Sequence, residues 1–292
     1  MSAYVFPGQG AQFPGMGKEL YDLSGTAKAL FNQANNVLGY DLSGTMFNGT
    51  EEDLRQTRIT QPAIFCHSVI SYLAADTRPS PDAVAGHSLG EYSALVAAGA
   101  LDFPVALRLV YERAEAMQAA TEAEPGTMAA VLGLDDEMIE NACAEIEEVV
   151  VAANYNSPGQ LVISGSVAGV ERASKILTDL GARRVVPLPV GGAFHSPLME
   201  PARTRLAAAI EEAYFRPPGC EIYQNVDALP SSDPEAIKQK LIAQLTSPVR
   251  WTQTIQNIQA AGITNFIEVG GKGKILAGLI RKVDRGLGVE QF

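Results

Sequence analysis

The chain has 292 residues, of which 47% are hydrophobic and 19% charged, and its net charge at pH 7 is -11. This composition is typical of a globular protein long enough to bury a sizeable core and to hold one large domain with an insert. The negative charge argues against non-specific binding to nucleic acid and to anionic membranes. No apolar run is long enough to span a bilayer. Any docking to an acidic partner would need a local basic patch.

The three cysteines, Cys66, Cys143 and Cys220, are widely spaced, and no pair has the spacing of metal ligands. This pattern favours reduced thiols in a cytosol over a disulfide framework. The first six residues lack the basic stretch and the apolar stretch that mark a signal peptide. We therefore expect a cytoplasmic protein.

The first part of the chain alternates short apolar strands with helical patterns. A strand at residues 3–6 ends in the turn Pro-Gly-Gln-Gly (7–10), and a strand at residues 82–85 runs straight into Gly-His-Ser-Leu-Gly (86–90). Apolar periodicity and end signals predict helices over residues 18–23, 26–38, 62–74, 89–98 and 104 to about 120.

The order of elements changes at residue 127. The pattern predicts strands at 127–132, 149–154, 160–165 and 183–188, with helices at 135–145 and 167–180. This βαββαβ order is the ferredoxin-like split unit. It predicts a small domain of residues 126–192 inserted into a large domain of residues 1–125 and 193–292. Further along, we expect a helix over 197–214, a final strand at 265–269 and a last helix near 274–283.

The segment Gly-His-Ser-Leu-Gly matches the G-x-S-x-G pattern of a nucleophile elbow. In such a turn the serine is held exposed above the sheet, and the flanking glycines permit the crowded backbone. The pattern is short and also occurs by chance, but here a predicted strand precedes it and a predicted helix follows. Ser88 is the candidate nucleophile; the alternative is a glycine turn in which Ser88 caps a helix.

A serine hydroxyl needs a neighbouring base to take its proton, and the chain contains three histidines. His67 lies in a predicted helix, where a structural role is favoured. His87 adjoins Ser88, but successive residues at such a turn point in different directions. His195 lies in a loop between a strand and a helix, and loops of this kind often hold catalytic side chains. By elimination, His195 is the candidate base.

Arg113 interrupts the apolar stripe of the helix predicted over residues 104–120. A guanidinium stays charged at working pH, so a buried one needs an anion or several acceptors. The pattern leaves three explanations open: a structural ion pair with an Asp or Glu, a side chain that extends to water, or bidentate binding of a substrate carboxylate.

Several motifs together resemble those of malonyl-CoA:acyl carrier protein transacylases, in the family's order and over nearly the whole chain. They are Pro-Gly-Gln-Gly-Ala-Gln (7–12), Gln-Pro-Ala (61–63), Gly-His-Ser-Leu-Gly-Glu-Tyr (86–92), Arg113 with Met-Gln (117–118), Asn-Tyr-Asn-Ser-Pro (154–158), Gly-Ala-Phe-His-Ser (192–196) and Ser-Pro-Val-Arg-Trp (247–251). The resemblance implies an α/β fold, with an α/β-hydrolase-like large domain and an inserted ferredoxin-like (βαββαβ) small domain. The order of predicted elements agrees with this fold.

The resemblance also implies roles for individual residues. Ser88 resembles the acylated serine, His195 its base, and Arg113 the residue that holds the malonyl carboxylate. The backbone N–H groups of Gln9 and Leu89 resemble the oxyanion hole, and Leu89 fits the rule that the residue after the nucleophile donates.

Four more substrate-binding residues follow from the resemblance, namely Gln61, Met117, Asn156 and Phe194. In relatives, a bulky residue at the position of Phe194 accompanies a preference for malonyl over methylmalonyl groups. Family members orient the histidine through a main-chain carbonyl near the Ser-Pro-Val stretch (247–249), not through a carboxylate. Residues 270–274, Gly-Gly-Lys-Gly-Lys, depart from the Gly-Pro-Gly-Lys of many relatives.

The expected activity is a ping-pong transfer of malonyl from malonyl-CoA to the phosphopantetheine thiol of acyl carrier protein, in fatty acid biosynthesis and without a metal or redox cofactor. One alternative is a serine hydrolase or thioesterase built on the same elbow, and another is a trans-acting acyltransferase of polyketide synthesis. A third is a carrier-binding protein that has the fold without the catalysis.

Overall fold

The computed structural model describes residues 1–77 and 80–292, which form two β-sheets with helices packed against them. Short 3-10 helices lie at Asp53–Arg55, Pro197–Met199 and Gln244–Thr246. Among the described residues, no helix has the length and apolar character needed to cross a bilayer. The strands and α-helices run in the order β1 (Ser2–Phe6), α1 (Lys18–Leu23), α2 (Gly25–Leu38), α3 (Leu42–Asn48), α4 (Thr57–Leu73), β2 (Ala83–Gly86), α5 (Gly90–Ala97), α6 (Phe103–Ala123), β3 (Gly126–Leu132), α7 (Asp136–Ala144), β4 (Val150–Ser157), β5 (Gln160–Ser166), α8 (Val167–Asp179), β6 (Arg184–Pro187), α9 (Glu200–Glu212), β7 (Glu221–Tyr223), β8 (Pro230–Ser231), α10 (Pro234–Ala243), α11 (Trp251–Ala260), β9 (Asn265–Glu268), α12 (Ile275–Val283) and β10 (Gly288–Gln291).

The larger sheet has the strand order β10-β9-β1-β2-β7-β8, and every neighbouring pair is parallel except β7 with β8. Its central strand β1 is buried on both faces. Successive side chains of a strand point to opposite faces, so Tyr4 and Phe6 join the core beneath α4, α5 and α6, while Ala3 and Val5 join the core beneath α11 and α12. Burial on both faces requires an uninterrupted apolar run, which is why β1 and β2 are recognisable in the sequence.

The smaller sheet is antiparallel throughout, with the strand order β4-β5-β3-β6. Its elements follow the predicted order of strand, helix, two strands, helix and strand, and α7 and α8 cover a separate core. Edge strand β4 is joined to the rest of the molecule at Val249. The Tyr155 N–H donates to the Val249 carbonyl at 2.9 Å, and the Val249 N–H donates to the Ala153 carbonyl at 2.8 Å.

Some predicted boundaries are wrong. The helix predicted from residue 62 begins at Thr57, so Pro62 lies in its second turn. Proline favours the first turn, but the carbonyl that its missing N–H leaves free belongs to Arg58, an exposed residue. The helix predicted over 197–214 begins as a 3-10 helix and ends at Glu212. Strand β9 is not the final one, because the short, exposed edge strand β10 follows it.

The turn between β2 and α5 packs against the end of β1 with no room for a side chain. A Cβ on Gly90 would lie 2.1 Å from the Phe6 carbonyl oxygen, and one on Gly86 would lie 1.8 Å from the Gly90 carbonyl carbon. Neither glycine has a positive φ. Close approach of backbone to backbone, and not conformational freedom, therefore requires glycine at both positions.

We predict that Gly90→Ala destabilises the fold by at least the roughly 1–3 kcal/mol typical of overpacked cores, because the atoms it meets are backbone and cannot rotate away. Gly25→Ala is the matched control, since a Cβ there meets no atom within 4 Å; its free energy of unfolding should change by less than about 1 kcal/mol. Urea unfolding measures both. Wild-type stability of Gly90→Ala would contradict the packing described.

Candidate active site

Ser88 lies in the turn between β2 and α5 with a φ of 52°. A non-glycine residue in this region is strained by about 1–3 kcal/mol and persists only where its surroundings hold it. Asn225 provides that support, because its Oδ1 accepts the Ser88 N–H at 2.7 Å and its Nδ2 donates to the Gly86 carbonyl at 2.7 Å. The N-cap residue of α5 is Leu89 and it makes no side-chain cap. Ser88 is therefore not a helix cap.

His195 is in hydrogen-bond contact with the Ser88 hydroxyl, with 2.8 Å between Nε2 and Oγ. Its other nitrogen, Nδ1, lies 3.0 Å from the Gln244 carbonyl and 3.2 Å from the Ser247 carbonyl. Carbonyl oxygens only accept, so the proton sits on Nδ1 and Nε2 is free to accept from Ser88. The orienting carbonyl of Ser247 belongs to the stretch that the sequence indicated.

The histidine is held in its neutral form. Burial, followed by the charge of Arg113, lowers the pKa of His195 to about 3, although the two carbonyl contacts oppose the shift. His195 itself is 4% exposed and has a φ of 60°. At neutral pH the imidazole is thus an acceptor, as a base for Ser88 must be.

Arg113 is 1% exposed, and its hydrogen-bond partners are neutral. Nη1 donates to Gln61 Oε1 at 2.7 Å, and Nη2 donates to Ser88 Oγ at 3.0 Å and to Gln244 Oε1 at 3.2 Å. Within residues 1–77 and 80–292, Arg113 takes part in no ion pair and its Nε has no hydrogen-bond partner. Of the three explanations that the sequence left open, the structural ion pair and the side chain extending to water are not found.

Two backbone N–H groups beside the nucleophile remain available. Neither the Gln9 N–H nor the Leu89 N–H donates a hydrogen bond to another group in the described part of the chain. Both residues line the same cavity as Ser88. The Ser88 N–H, by contrast, is taken by Asn225. Gln9 and Leu89 thus each offer an unpaired backbone N–H group at the cavity that contains Ser88.

A cavity of about 300 Å³ opens onto Ser88 and His195, at the lower end of the size range of ligand sites. The smaller sheet contributes its apolar wall through Met128 and Val162. All the residues predicted for the site line this cavity except Gln61. They are Gln9, Ser88, Leu89, Arg113, Met117, Asn156, Phe194 and His195.

Two predicted residues, Gln61 and Asn156, contact other side chains of the site. Gln61 is buried behind Arg113, where its Oε1 accepts from the guanidinium and its Nε2 lies 3.3 Å from the Met117 sulfur. Gln61 therefore reaches the cavity only through those side chains. Asn156 Oδ1 lies 2.8 Å from His87 Nε2, so this nitrogen of His87 is engaged by the smaller sheet.

The glycine loop at residues 270–274 supports the segment that carries Gln9. The Gly271 N–H donates to Nδ1 of His67 at 3.1 Å, which gives that histidine a structural contact. A Cβ on Gly271 would lie 3.0 Å from the Ala11 Cβ, and one on Gly270 would lie 2.1 Å from Ser68 Oγ. The loop thus packs against α4 and against the turn that follows β1.

Sequence reasoning missed Asn225 and the side chain of Gln244. Both are buried amides that contact residues more than a hundred positions away, so no local periodicity marks them. Glu91 lies in the motif at 86–92 but was given no role. Its carboxylate accepts from the Asn225 N–H and from Gln244 Nε2.

Known proteins resemble this chain over nearly its whole length. A family model described as "Acyl transferase domain" matches residues 3–291. The malonyl CoA-acyl carrier protein transacylase of Bacillus subtilis is 45% identical over 289 residues, which are 98% of this chain and 91% of the relative. The protein of the same name from Escherichia coli K12 is 42% identical over 285 residues, or 96% of this chain and 92% of the relative.

Solved structures also match this chain over its whole length. An acyl carrier protein S-malonyltransferase from Vibrio cholerae has a TM-score of 0.95 at 44% identity, covering 100% of this chain and 96% of that one. A malonyl-transacylase in complex with its type II PKS acyl carrier protein has a TM-score of 0.96 at 40% identity, covering 100% and 95%. The chain belongs to the acyl transferase domain family and, within it, to the malonyl CoA-acyl carrier protein transacylases.

Proposed function

We propose that this chain transfers a malonyl group from malonyl-CoA to the phosphopantetheine thiol of acyl carrier protein, through a malonyl ester on Ser88. The observation that carries the proposal is the buried Arg113, whose Nη2 lies 3.0 Å from the nucleophilic oxygen and which has no anionic partner within the described residues. A carboxylate whose carbon lies two bonds from the reacting carbonyl carbon would supply a negative charge in contact with the guanidinium.

In the acylation step, Ser88 Oγ attacks the thioester carbonyl while His195 Nε2 takes the hydroxyl proton. The oxyanion that forms is stabilised by the Gln9 and Leu89 N–H groups, each worth on the order of 10²–10³ in rate. The C–S bond then breaks, and His195 returns the proton to the departing coenzyme A sulfur. Each mole of malonyl-serine formed releases one mole of coenzyme A.

In the transfer step, the carrier thiol gives its proton to His195 and attacks the serine ester. The C–O bond to Ser88 breaks, and His195 protonates the serine oxygen, which restores the free enzyme. One base serves both steps because the second is the reverse of the first with a different thiol. These steps use groups of the chain alone, and the proposal includes no metal or redox cofactor.

The proposal extends to architecture and setting. Residues 1–125 and 193–292 would form the α/β-hydrolase-like domain, supported by the turn from strand to helix at Ser88. Residues 126–192 would form the ferredoxin-like domain, supported by the β4-β5-β3-β6 order with two covering helices. The cysteines are free thiols, which supports a cytoplasmic setting. The pathway proposed is fatty acid biosynthesis.

A serine hydrolase is the second candidate, because it would share the elbow and the histidine. It has no need of a buried cation beside the nucleophile, and the position of Arg113 therefore favours the transferase.

We predict that Ser88→Ala abolishes covalent loading by malonyl-CoA, because no other hydroxyl is activated by His195. Ser93→Ala is the control: it removes a buried hydroxyl of α5, the helix that follows Ser88, which has no partner in the described part of the chain, and the adduct should persist. Intact-mass measurement after adding malonyl-CoA detects the ester. A malonyl adduct on Ser88→Ala would move the nucleophile elsewhere.

The depressed pKa of His195 predicts an unusual pH profile. An ordinary histidine loses its base form as pH falls through 6.5, whereas here protonation begins only as pH approaches a value of about 3. The kcat/KM for malonyl-CoA should therefore stay level from about pH 7.5 down to about pH 5. Arg113→Met removes a charge that lowers this pKa, and should move the acid limb to higher pH. A wild-type decline centred near pH 6.5 would refute the assignment of the shift.

Arg113→Met should lower the rate of loading from malonyl-CoA about 10- to 100-fold relative to acetyl-CoA, as expected for loss of charged hydrogen bonds worth roughly 1.5–3 kcal/mol. Arg108→Met, on the exposed face of the same helix, is the matched control and should leave the ratio unchanged. Single-turnover rates with both thioesters measure it. Equal losses for malonyl and acetyl groups would show that Arg113 serves the fold and not the substrate.

A further inference from the structure

We propose that Glu91 is a positioning residue for the transfer reaction: its buried carboxylate fixes Asn225 and Gln244, and through them the nucleophile and Arg113. The inference deepens the proposed function and rests on it. Glu91 is 1% exposed and follows Ser88 by one turn of α5, on the side away from the substrate cavity.

The first set of hydrogen bonds links Glu91 to the nucleophile through Asn225. Its backbone N–H donates to one carboxylate oxygen of Glu91, and its side chain holds the Ser88 N–H and the Gly86 carbonyl. Ser88 needs this support because its φ is positive. The Glu91 carboxylate thus holds the backbone of Asn225, whose side chain bridges the strained turn at Ser88.

The second set of hydrogen bonds links Glu91 to the nucleophile and to Arg113 through Gln244. Its Nε2 donates to the other Glu91 oxygen at 2.6 Å and to the Ser88 carbonyl at 3.0 Å, while its Oε1 accepts from Arg113 at 3.2 Å. The backbone carbonyl of the same residue orients His195. One residue therefore contacts the nucleophile, the base and the cation.

The orientation of the Gln244 amide is determined by its two neighbours, Arg113 and Glu91. Arg113 can only donate, so the amide oxygen must face it, and an ionised Glu91 can only accept, so the amide nitrogen must face the carboxylate. Glu91 has no contact with a cation in residues 1–77 and 80–292. Gln244 thus lies between the buried Glu91 carboxyl group and the buried guanidinium.

The groups around Glu91 also bear on its ionisation. Burial raises the pKa of Glu91, and the nearby charge of Asp227 adds to the shift, whereas the Asn225 N–H, the Gln244 amide and the Arg113 charge lower it. Loss of either donor would favour the protonated acid, which cannot accept from both neighbours at once.

Glu91→Gln keeps the size of the side chain and removes one acceptor. Its amide nitrogen must then face either the Asn225 N–H or Gln244 Nε2, so two donors meet. If the Gln244 amide rotates to avoid this, its nitrogen faces Arg113 and the Ser88 carbonyl loses its donor. In each arrangement either the elbow or the guanidinium is displaced.

Two rates, each measured per mole of folded protein, test the proposal. Phenylmethanesulfonyl fluoride labelling of Ser88 reports the elbow and the base, and single-turnover loading from malonyl-CoA and acetyl-CoA reports Arg113 as well. We expect Glu91→Gln to slow sulfonyl fluoride labelling about 10-fold or more and to lower the ratio of malonyl to acetyl loading. Glu268→Gln is the matched control: Glu268 is equally buried but accepts only from N–H groups of α12. It should change neither quantity.

A second variant covers a failure of Glu91→Gln to fold. Gln244→Met keeps the backbone carbonyl that orients His195 and loses all side-chain hydrogen bonds, so it should give the same two losses. The double variant should be little worse than either single variant, because both act through one network. Wild-type labelling and an unchanged ratio in either single variant would overturn the proposal. Absence of malonyl-serine on the wild type would refute the proposed function instead, and sulfonyl fluoride labelling would still judge Glu91.

Discussion

The site depends on a guanidinium buried beside a serine, with no anion in direct contact with it among the described residues. Burying an unpaired charge costs free energy. Arg113 is stabilised by hydrogen bonds to neutral acceptors, namely Gln61, Gln244 and Ser88. The same charge helps keep His195 neutral. An anionic acyl group would relieve the imbalance, so the free site is arranged for a charge that the substrate brings. This constraint accounts for the selectivity proposed, and it adds to the burial that lowers the pKa of the base.

The second constraint is the backbone at the elbow, and the large sheet imposes it. Parallel strands β1 and β2 end side by side, and α5 starts so close to them that Gly86 and Gly90 admit no Cβ. The turn exposes Ser88 and leaves the N–H of Leu89 free, while Asn225 offsets the strain. The small sheet contributes the opposite, apolar wall of the cavity. Its edge strand β4 is hydrogen-bonded to Val249. This residue lies two positions after Ser247, whose carbonyl orients His195.

Much of this could be predicted from the sequence, for local reasons. Ser88 follows an apolar strand within a short glycine motif, and Arg113 interrupts an apolar stripe, so each has a signal in its own neighbourhood. The βαββαβ order was predictable because each element has its own periodicity. Asn225 and Gln244 had no such signal, since their roles arise from contacts 137 and 156 residues apart. Gln61 was predicted to bind substrate, but it lies behind Arg113 because its position faces the core and not the cavity.

The fate of the malonyl group on Ser88 distinguishes a transferase from a hydrolase. The enzyme is loaded with labelled malonyl-CoA, freed of excess thioester and chased with acyl carrier protein that bears its phosphopantetheine arm. We expect the label to move to the carrier thiol far faster than it appears as free malonate, because the site is built to exchange one thiol for another. Release of malonate at the same rate with and without the carrier would contradict this expectation and identify a hydrolase.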